Sequence, residues 1–159
     1  MTTETSYYHS PVGYLELIAN DTALIGCYFL DDEPSNITEP QHPILKQTHQ
    51  QLEAYFNQGL QDFDIPLDLQ GTAFRQQAWQ ALQTIPYGQT ASYLDMAVKI
   101  GNPKAVRAIG QANGQNPVSI IVPCHRVINH NGKLGGYGGG LWRKEWLLAH
   151  EKKHLNQNS

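Results

Sequence analysis

Ser92-Tyr93-Leu94-Asp95-Met96-Ala97-Val98-Lys99-Ile100-Gly101-Asn102-Pro103-Lys104-Ala105-Val106-Arg107-Ala108-Ile109-Gly110-Gln111-Ala112 carries two helix-start signals separated by one glycine stop. Ser92 with Asp95 has the form of a capping box: the hydroxyl accepts from a backbone N–H in the first turn, and the acid reaches back to the cap. A short helix should run from there to Gly101. Asn102-Pro103 is the second start, a cap followed by proline at the first helical position. A second helix is therefore expected from Lys104 to Ala112. Two short helices joined by a tight Gly-Asn-Pro turn form a helix-turn-helix, with the second as candidate recognition helix. That helix carries Lys104 and Arg107. The small side chains of Ala105, Ala108 and Ala112 would let its backbone approach a groove closely. An ordinary helical corner would show the same pattern.

Working towards the N-terminus, Phe74, Ala78, Leu82 and Ile85 recur at roughly helical spacing, and Pro86-Tyr87-Gly88 ends that helix. Residues 6–30 read as strands, among them Tyr14 to Ile18 and Leu24 to Leu30, with the turn-prone Asn20-Asp21 between. Asp31 to His42 is acidic and proline-bearing and reads as a loop. Pro43 then suits a first helical turn, Leu45, Leu52, Tyr55 and Phe56 share a face, and Gly59 offers a stop. Ile65 to Leu69 could be one more strand. Working towards the C-terminus, Val118 to Val122 is a short apolar run that reads as a buried strand leading to Pro123-Cys124. Asn131 to Gly140 holds six glycines and must be a loop, and Leu141 to Lys153 reads as a final amphipathic helix. The chain thus divides into an α/β part over residues 1–70, structural in role, and a mainly helical part over residues 71–159.

The charge divides at the same place. Residues 1–70 hold eleven acids and one base, a net of −10, whereas residues 71–159 hold ten bases and three acids, a net of +7. The total of −3 conceals a basic half suited to a polyanion. Apolar content of 40% fits one globular chain of 159 residues, and no apolar run is long enough to span a membrane. The first residues lack the pattern of a secretory signal, so a cytoplasmic location is expected, with the two cysteines reduced. No spacing of cysteine and histidine suggests a metal site, and no cofactor is expected.

Cys27 lies inside an apolar strand and reads as a small buried hydrophobe. Cys124 has different neighbours, in Pro123-Cys124-His125-Arg126-Val127. A thiolate, not a thiol, is the nucleophile, and an ordinary cysteine is only a few per cent thiolate at neutral pH. His125 is the obvious base, and a helical turn opening after Pro123 would add a favourable dipole. A base works best when a third group orients it. Spacing alone does not show which group that is; of the three acids in the basic half, Asp95 reads as a capping residue, Glu145 as a solvated helix face, and Glu151 lies on the last helix.

Residues 85–151 resemble the O6-alkylguanine-DNA alkyltransferases, also called methylated-DNA–protein-cysteine methyltransferases. The likeness rests on Ile85-Pro86-Tyr87-Gly88, Ser92-Tyr93, Gly101 to Ala105, Arg107 to Gly110, Asn116-Pro117, Pro123 to Val127 and Lys144 to Glu151, in order. The Pro-Cys-His-Arg-Val run is the most specific of these. The resemblance covers residues 71–153 strongly and residues 1–70 loosely. It implies an RNase-H-like α/β N-terminal domain and a helical, winged-helix-like C-terminal domain containing the helix-turn-helix.

The resemblance also implies roles. Cys124 corresponds to the alkyl acceptor, His125 to the base that deprotonates it through a water, and Glu151 to the acid that orients His125. Asn116 corresponds to the brace of this network. Tyr93 corresponds to the tyrosine that helps rotate the nucleotide and donates a hydrogen bond to the base, and Arg107 to the finger that fills the gap in the stack. Arg107, Lys104, Ala105, Ala108 and Arg126 are expected at the DNA, in the minor groove. Val127, Tyr137 and Gly138 are expected to line the guanine pocket. Many relatives carry serine where this chain has Gly138. Some bind zinc in the N-terminal domain, and no matching residues occur here.

The implied activity is direct repair of O6-alkylguanine in double-stranded DNA by a monomer, with O4-alkylthymine left open as a second substrate. Base flipping would precede transfer. A thioether is stable, so each molecule should act once. The competing readings are a binding module for alkylated DNA, a cysteine hydrolase built on Cys124 and His125, and a regulator using the helix-turn-helix alone.

Overall fold

The computed structural model describes residues 2–157. Two units are distinguished by their internal contacts: residues 1–69 with 117–119, and residues 70–116 with 120–159.

The first unit is built on an antiparallel sheet of β1 (Glu4–Ser10), β2 (Gly13–Ala19) and β3 (Leu24–Phe29), in that spatial order. Alternation puts Leu15, Leu17 and Ala19 on one fully buried face. The β1–β2 turn is fastened by Ser10, whose hydroxyl donates to the Gly13 carbonyl at 2.6 Å and accepts from the Val12 N–H at 3.1 Å. Gly13 has φ of 99°, the left-handed region in which a side chain would be strained. Helix α1 (Pro43–Gln58) packs on β1 and β2 through Leu45, Leu52, Tyr55 and Phe56. His42 caps it, its Nδ1 accepting from the Ile44 N–H at 3.0 Å. Truncating Leu52 to alanine would cost about 2–5 kcal/mol, the usual range for an enclosed leucine.

Two expected strands are reduced to single bridges. Only Leu67 of Ile65 to Leu69 pairs, with Leu24, and only Val118 of the 118–122 run pairs, with Cys27. Cys27 N–H donates to the Pro117 carbonyl at 2.9 Å, and Ser119 N–H to the Cys27 carbonyl at 3.0 Å. The chain then turns away through Ile120, with φ of 72°, the one non-glycine at positive φ among the described residues. That conformation costs roughly 1–2 kcal/mol for an L-residue. Ile120 and Val122 are apolar because they are buried, at 1% and 0% exposure, and not because they pair.

The second unit holds the helices. Thr72 caps α2 (Ala73–Leu82), whose Trp79 is buried and donates its indole N–H to the Ala112 carbonyl at 2.8 Å. Helix α3 (Tyr93–Lys99) begins at the expected capping box, with both bonds at 2.9 Å. The second helix of the expected helix-turn-helix, α4 (Val106–Gly114), starts two residues later than the Asn-Pro signal suggests. Asn102 N–H donates to the Ala97 carbonyl and so closes α3, while its own carbonyl accepts from Ala105 N–H in a turn. The signal belongs to the end of one helix and not to the head of the next.

A two-residue parallel ladder joins β4 (Ala91–Ser92) to β5 (Val127–Ile128). The segment Cys124–Arg126 is one 3-10 turn immediately before β5. The ladder therefore holds the start of α3, with Tyr93, beside the turn that carries Cys124. Helix α5 (Leu141–Gln157) completes the unit.

Candidate active site

Cys124 opens its 3-10 turn with 7% of its surface exposed, on the wall of a cavity of about 310 Å³. Tyr93, Gly110, Asn113, Gly114 and residues 136–138 complete the lining. Two backbone bonds tighten the turn: Cys124 N–H to the Val122 carbonyl at 2.9 Å, and Arg126 N–H to the Pro123 carbonyl at 3.1 Å. Asn116 braces it from the end of α4, donating Nδ2–H to the Val122 carbonyl at 2.8 Å.

The sulfur is pulled in two directions. Burial pushes the Cys124 thiol up from its ordinary value, because a thiolate loses its hydration there. Hydrogen bonds from Asn116 and Tyr137, and the charge of Lys144, oppose that rise without overcoming it. The resting sulfur is a thiol, so the 3-10 turn does not by itself activate it and a base is required.

His125, the next residue in the chain, is fully buried. Its Nε2 lies 2.6 Å from Glu151 Oε2. A carboxylate can only accept, so His125 Nε2 carries a proton and donates it to Glu151. Nδ1 is buried and has no hydrogen-bond partner among the described residues. Glu151 is fully buried too. Burial would raise its carboxyl, yet His125 and then Arg126 hold it well below the usual carboxylate range.

Arg126 is where the structure corrects the sequence reading. It is 6% exposed and cannot reach DNA as a surface cation. Its Nε and Nη2 donate to the two Glu151 oxygens at 2.8 and 3.1 Å, and its Nη1 to the Ile85 carbonyl at 2.8 Å. This fork geometry fixes the carboxylate as only arginine can. Gly88 N–H adds a fourth bond, at 3.3 Å to Oε1. Ile85 and Gly88 thus belong to the network that seats Glu151.

Tyr93 is the first residue of α3, half-buried, with its hydroxyl 3.5 Å from the Gly136 carbonyl. Burial, and then the proximity of Cys124, push its phenol up, so it is neutral and a proton donor at pH 7. Tyr137 faces Cys124 as a wall, and Val127 is buried in β5. Gly138 lines the cavity, and a Cβ there would meet nothing closer than the Gly114 carbonyl at 4.0 Å.

Lys144 is a functional candidate that sequence reasoning missed. It is fully buried in α5, its Nζ donating to the carbonyls of Leu134 at 2.6 Å and Gly136 at 3.2 Å. Burial brings its ammonium down to about 8, partly offset by Cys124. The lysine ties the glycine-rich loop to the helix and puts positive charge near the sulfur. One signal was available: Lys144, Leu147 and Glu151 follow the i, i+3, i+7 stripe of a core-facing helix surface, where a charge is out of place.

Arg107 on α4 and Lys104 in the turn before it are exposed, and Ala108 is half-buried. Ala105 and Ala112 are buried, at 8% and 2% exposure, together with Ile109. Helical period puts these three on the inner face, so the close-approach role expected of Ala105 and Ala112 is not available to them. The small residues turned outward are Ala108, Gly110 and Gly114. Among the described residues, no helix is long and apolar enough to cross a membrane, and no group of three or more His, Cys, Asp or Glu side chains is placed to hold a metal.

Comparison with known proteins adds an independent line. Residues 73–153 match the family model described as the DNA binding domain of 6-O-methylguanine DNA methyltransferase, and residues 5–69 match its ribonuclease-like domain. A methylated-DNA–protein-cysteine methyltransferase of Mycolicibacterium paratuberculosis is 51% identical over 148 residues, covering 91% of this chain and 90% of the relative. Its counterpart in Methanosarcina mazei is 45% identical, covering 94% and 99%. Among solved structures, the Mycobacterium tuberculosis O6-methylguanine methyltransferase superposes with a TM-score of 0.86 at 42% identity, covering 99% of this chain and 100% of that one. The M. tuberculosis protein OGT in complex with DNA gives 0.86 at 47%, covering 94% and 93%.

Proposed function

The chain belongs to the 6-O-methylguanine DNA methyltransferase family, and from that membership we propose that it repairs DNA by moving an alkyl group from O6-alkylguanine onto Cys124. The observation that carries the assignment to this residue is the placement of Cys124. It sits on the cavity wall, next to a buried histidine whose outer nitrogen is bonded to a buried carboxylate and whose inner nitrogen is open.

His125 Nδ1 takes the thiol proton through one bridging water. Glu151 holds the ring in the required tautomer and stabilises the imidazolium that forms, as the third member of a nucleophile–base–acid chain does. Arg126 keeps Glu151 ionised and fixed. The thiolate then attacks the alkyl carbon. An S–C bond forms, the C–O6 bond breaks, and its electron pair goes to the guanine. A hydrogen bond from the neutral Tyr93 hydroxyl offsets the negative charge gathering on the base, and the proton that His125 took from the thiol is returned to the base, which leaves as neutral guanine.

DNA is the partner, reached through the helix-turn-helix. A buried sulfur cannot reach a base inside the stack, so the damaged nucleotide is rotated out, at a cost of a few kcal/mol. Arg107, exposed and long, fills the gap, and Lys104 meets the backbone. The protein acts as a monomer in the cytoplasm, where its two free cysteines stay reduced. A regulator using the helix-turn-helix alone would have no use for the buried His125–Glu151–Arg126 set.

The test is to incubate the chain with duplex DNA bearing radiolabelled O6-methylguanine and locate the label by peptide mapping. Label on the Cys124 peptide, absent from Cys124→Ala, supports the reading. Tight binding of the DNA without label on protein would overturn it in favour of a binding module.

A further inference from the structure

Asn113 lies in the last turn of α4 and lines the cavity beside Tyr93, Gly110, Gly114 and Cys124. Both ends of its side chain, Nδ2 and Oδ1, are buried and have no hydrogen-bond partner among the described residues. Asn116, three positions on, is different: its amide donates to the Val122 carbonyl and supports the sulfur. Buried polar atoms are nearly always paired, so an amide with both ends open beside the reacting atom calls for a ligand with matching groups.

We propose that the Asn113 amide reads the flipped base at an edge that includes the guanine 2-amino group, and so sets a preference for O6-alkylguanine over O4-alkylthymine. The inference rests on the function proposed above and names a determinant of its specificity. An asparagine side chain offers one acceptor and a donor side by side. Alkylation at O6 removes the N1 proton, so N1, N3, N7 and O6 of the base all accept and the 2-amino group is its one remaining ring-edge donor. The N7/O6 edge would satisfy Nδ2 and leave Oδ1 open. The edges that satisfy both ends pair the amine with N1 or with N3. O4-alkylthymine presents only acceptors, at N3 and O2, so Oδ1 would stay buried and unpaired in its complex. An unpaired buried group is what turns a missing contact into discrimination.

The full chain is reacted with two free bases, O6-benzylguanine and O6-benzylhypoxanthine, which differ only in the 2-amino group. Benzylation of Cys124 is followed by mass. The wild type should react with the guanine at least about tenfold faster. Asn113→Leu should bring the ratio to within about twofold, as should Asn113→Ala, which removes the amide without adding bulk. In duplex DNA the same variants should narrow the rate difference between O6-methylguanine and O4-methylthymine. A wild-type ratio near one overturns the inference, and that measurement needs no variant. So does a variant that slows both bases equally, because a packing role would do that. Failure of both bases to label wild-type Cys124 would overturn the functional reading itself, and this inference with it.

Discussion

The two units bury polar groups for different purposes. Among the described residues, the buried polar side chains of the first unit are Ser6, Ser10, Asn20 and Thr48, all neutral. Ser10, Asn20 and Thr48 fasten local structure, and Ser6 Oγ lies 2.9 Å from His49 Nε2 on α1. Asn20 Oδ1 accepts from Thr22 and Ala23 N–H at 2.9 and 2.8 Å and so ties a turn, while Thr48 back-bonds to the Ile44 carbonyl at 2.7 Å. The second unit buries one neutral amide, Asn116, and six titratable side chains, His125, Arg126, Arg143, Lys144, His150 and Glu151. Ionised groups are expensive to bury, and replacing such a set by hydrocarbon is often neutral or stabilising. A fold that needed only stability would not keep them. The first unit is a scaffold of apolar contacts and turn ties, and the second spends part of its stability on placing a base, an acid and a cation around one sulfur.

Removing Glu151 should break this contrast most severely. Glu151→Gln leaves the Arg126 charge buried without compensation and His125 without its anchor. Stability should fall by about 3–5 kcal/mol in urea unfolding. The rate of Cys124 benzylation by free O6-benzylguanine should fall at least about a hundredfold, the usual contribution of a positioned base. The same group sets an acid limit. Because the folded carboxyl is held below its ordinary value of 4.5, its contribution to stability is complete above that pH and is lost as pH falls through the lower folded value. The glutamine variant should lack that part of the acid slope.

Arg107→Ala should slow repair of duplex DNA by roughly tenfold or more, since a few kcal/mol of flipping cost must be offset. Its reaction with the free base should be unaffected, because the side chain is exposed on α4. Equal losses on both substrates would count against a role at the DNA. Lys144→Met sharpens the comparison in another way. Loss of its charge should raise the apparent pKa of the benzylation rate, and one unit corresponds to about tenfold at neutral pH. Stability should fall by roughly 1–3 kcal/mol, because the Leu134 and Gly136 carbonyls lose their donor. In the first unit, Asn20→Ala should cost roughly 1–2 kcal/mol and leave the transfer rate unchanged. The smallest effect belongs to Gly138→Ser: with 4.0 Å to the nearest atom from a Cβ, the rate should stay within about twofold.

Much of this was legible in the chain. The capping box at Ser92–Asp95, the α1 stop at Gly59 and the glycine loop after Asn131 are local signals, and local bonding decides them. Cys124 and His125 adjoin in the chain, whereas the pairing of His125 with Glu151 came from the family resemblance and is seen in the structure at 2.6 Å. What failed was whatever depended on the third dimension. Asn102-Pro103 looks like a helix head, yet its N–H is taken by the preceding helix. The 118–122 run is apolar for burial, and sequence cannot distinguish that from pairing. Arg126 and Lys144 look like surface cations until their partners, 25 residues away in Glu151 and 10 away in Leu134, are seen. Asn113 carries no sequence signal, because its importance lies in bonds that it does not make.

The central claim is that Cys124 accepts the alkyl group and keeps it. A limiting amount of protein is given excess duplex DNA carrying labelled O6-methylguanine, and transferred label is counted to completion. The account predicts a plateau at one methyl group per chain, all of it on Cys124 and none on Cys124→Ala. Repair that continues past one equivalent, or methyl groups released to solution, would contradict it.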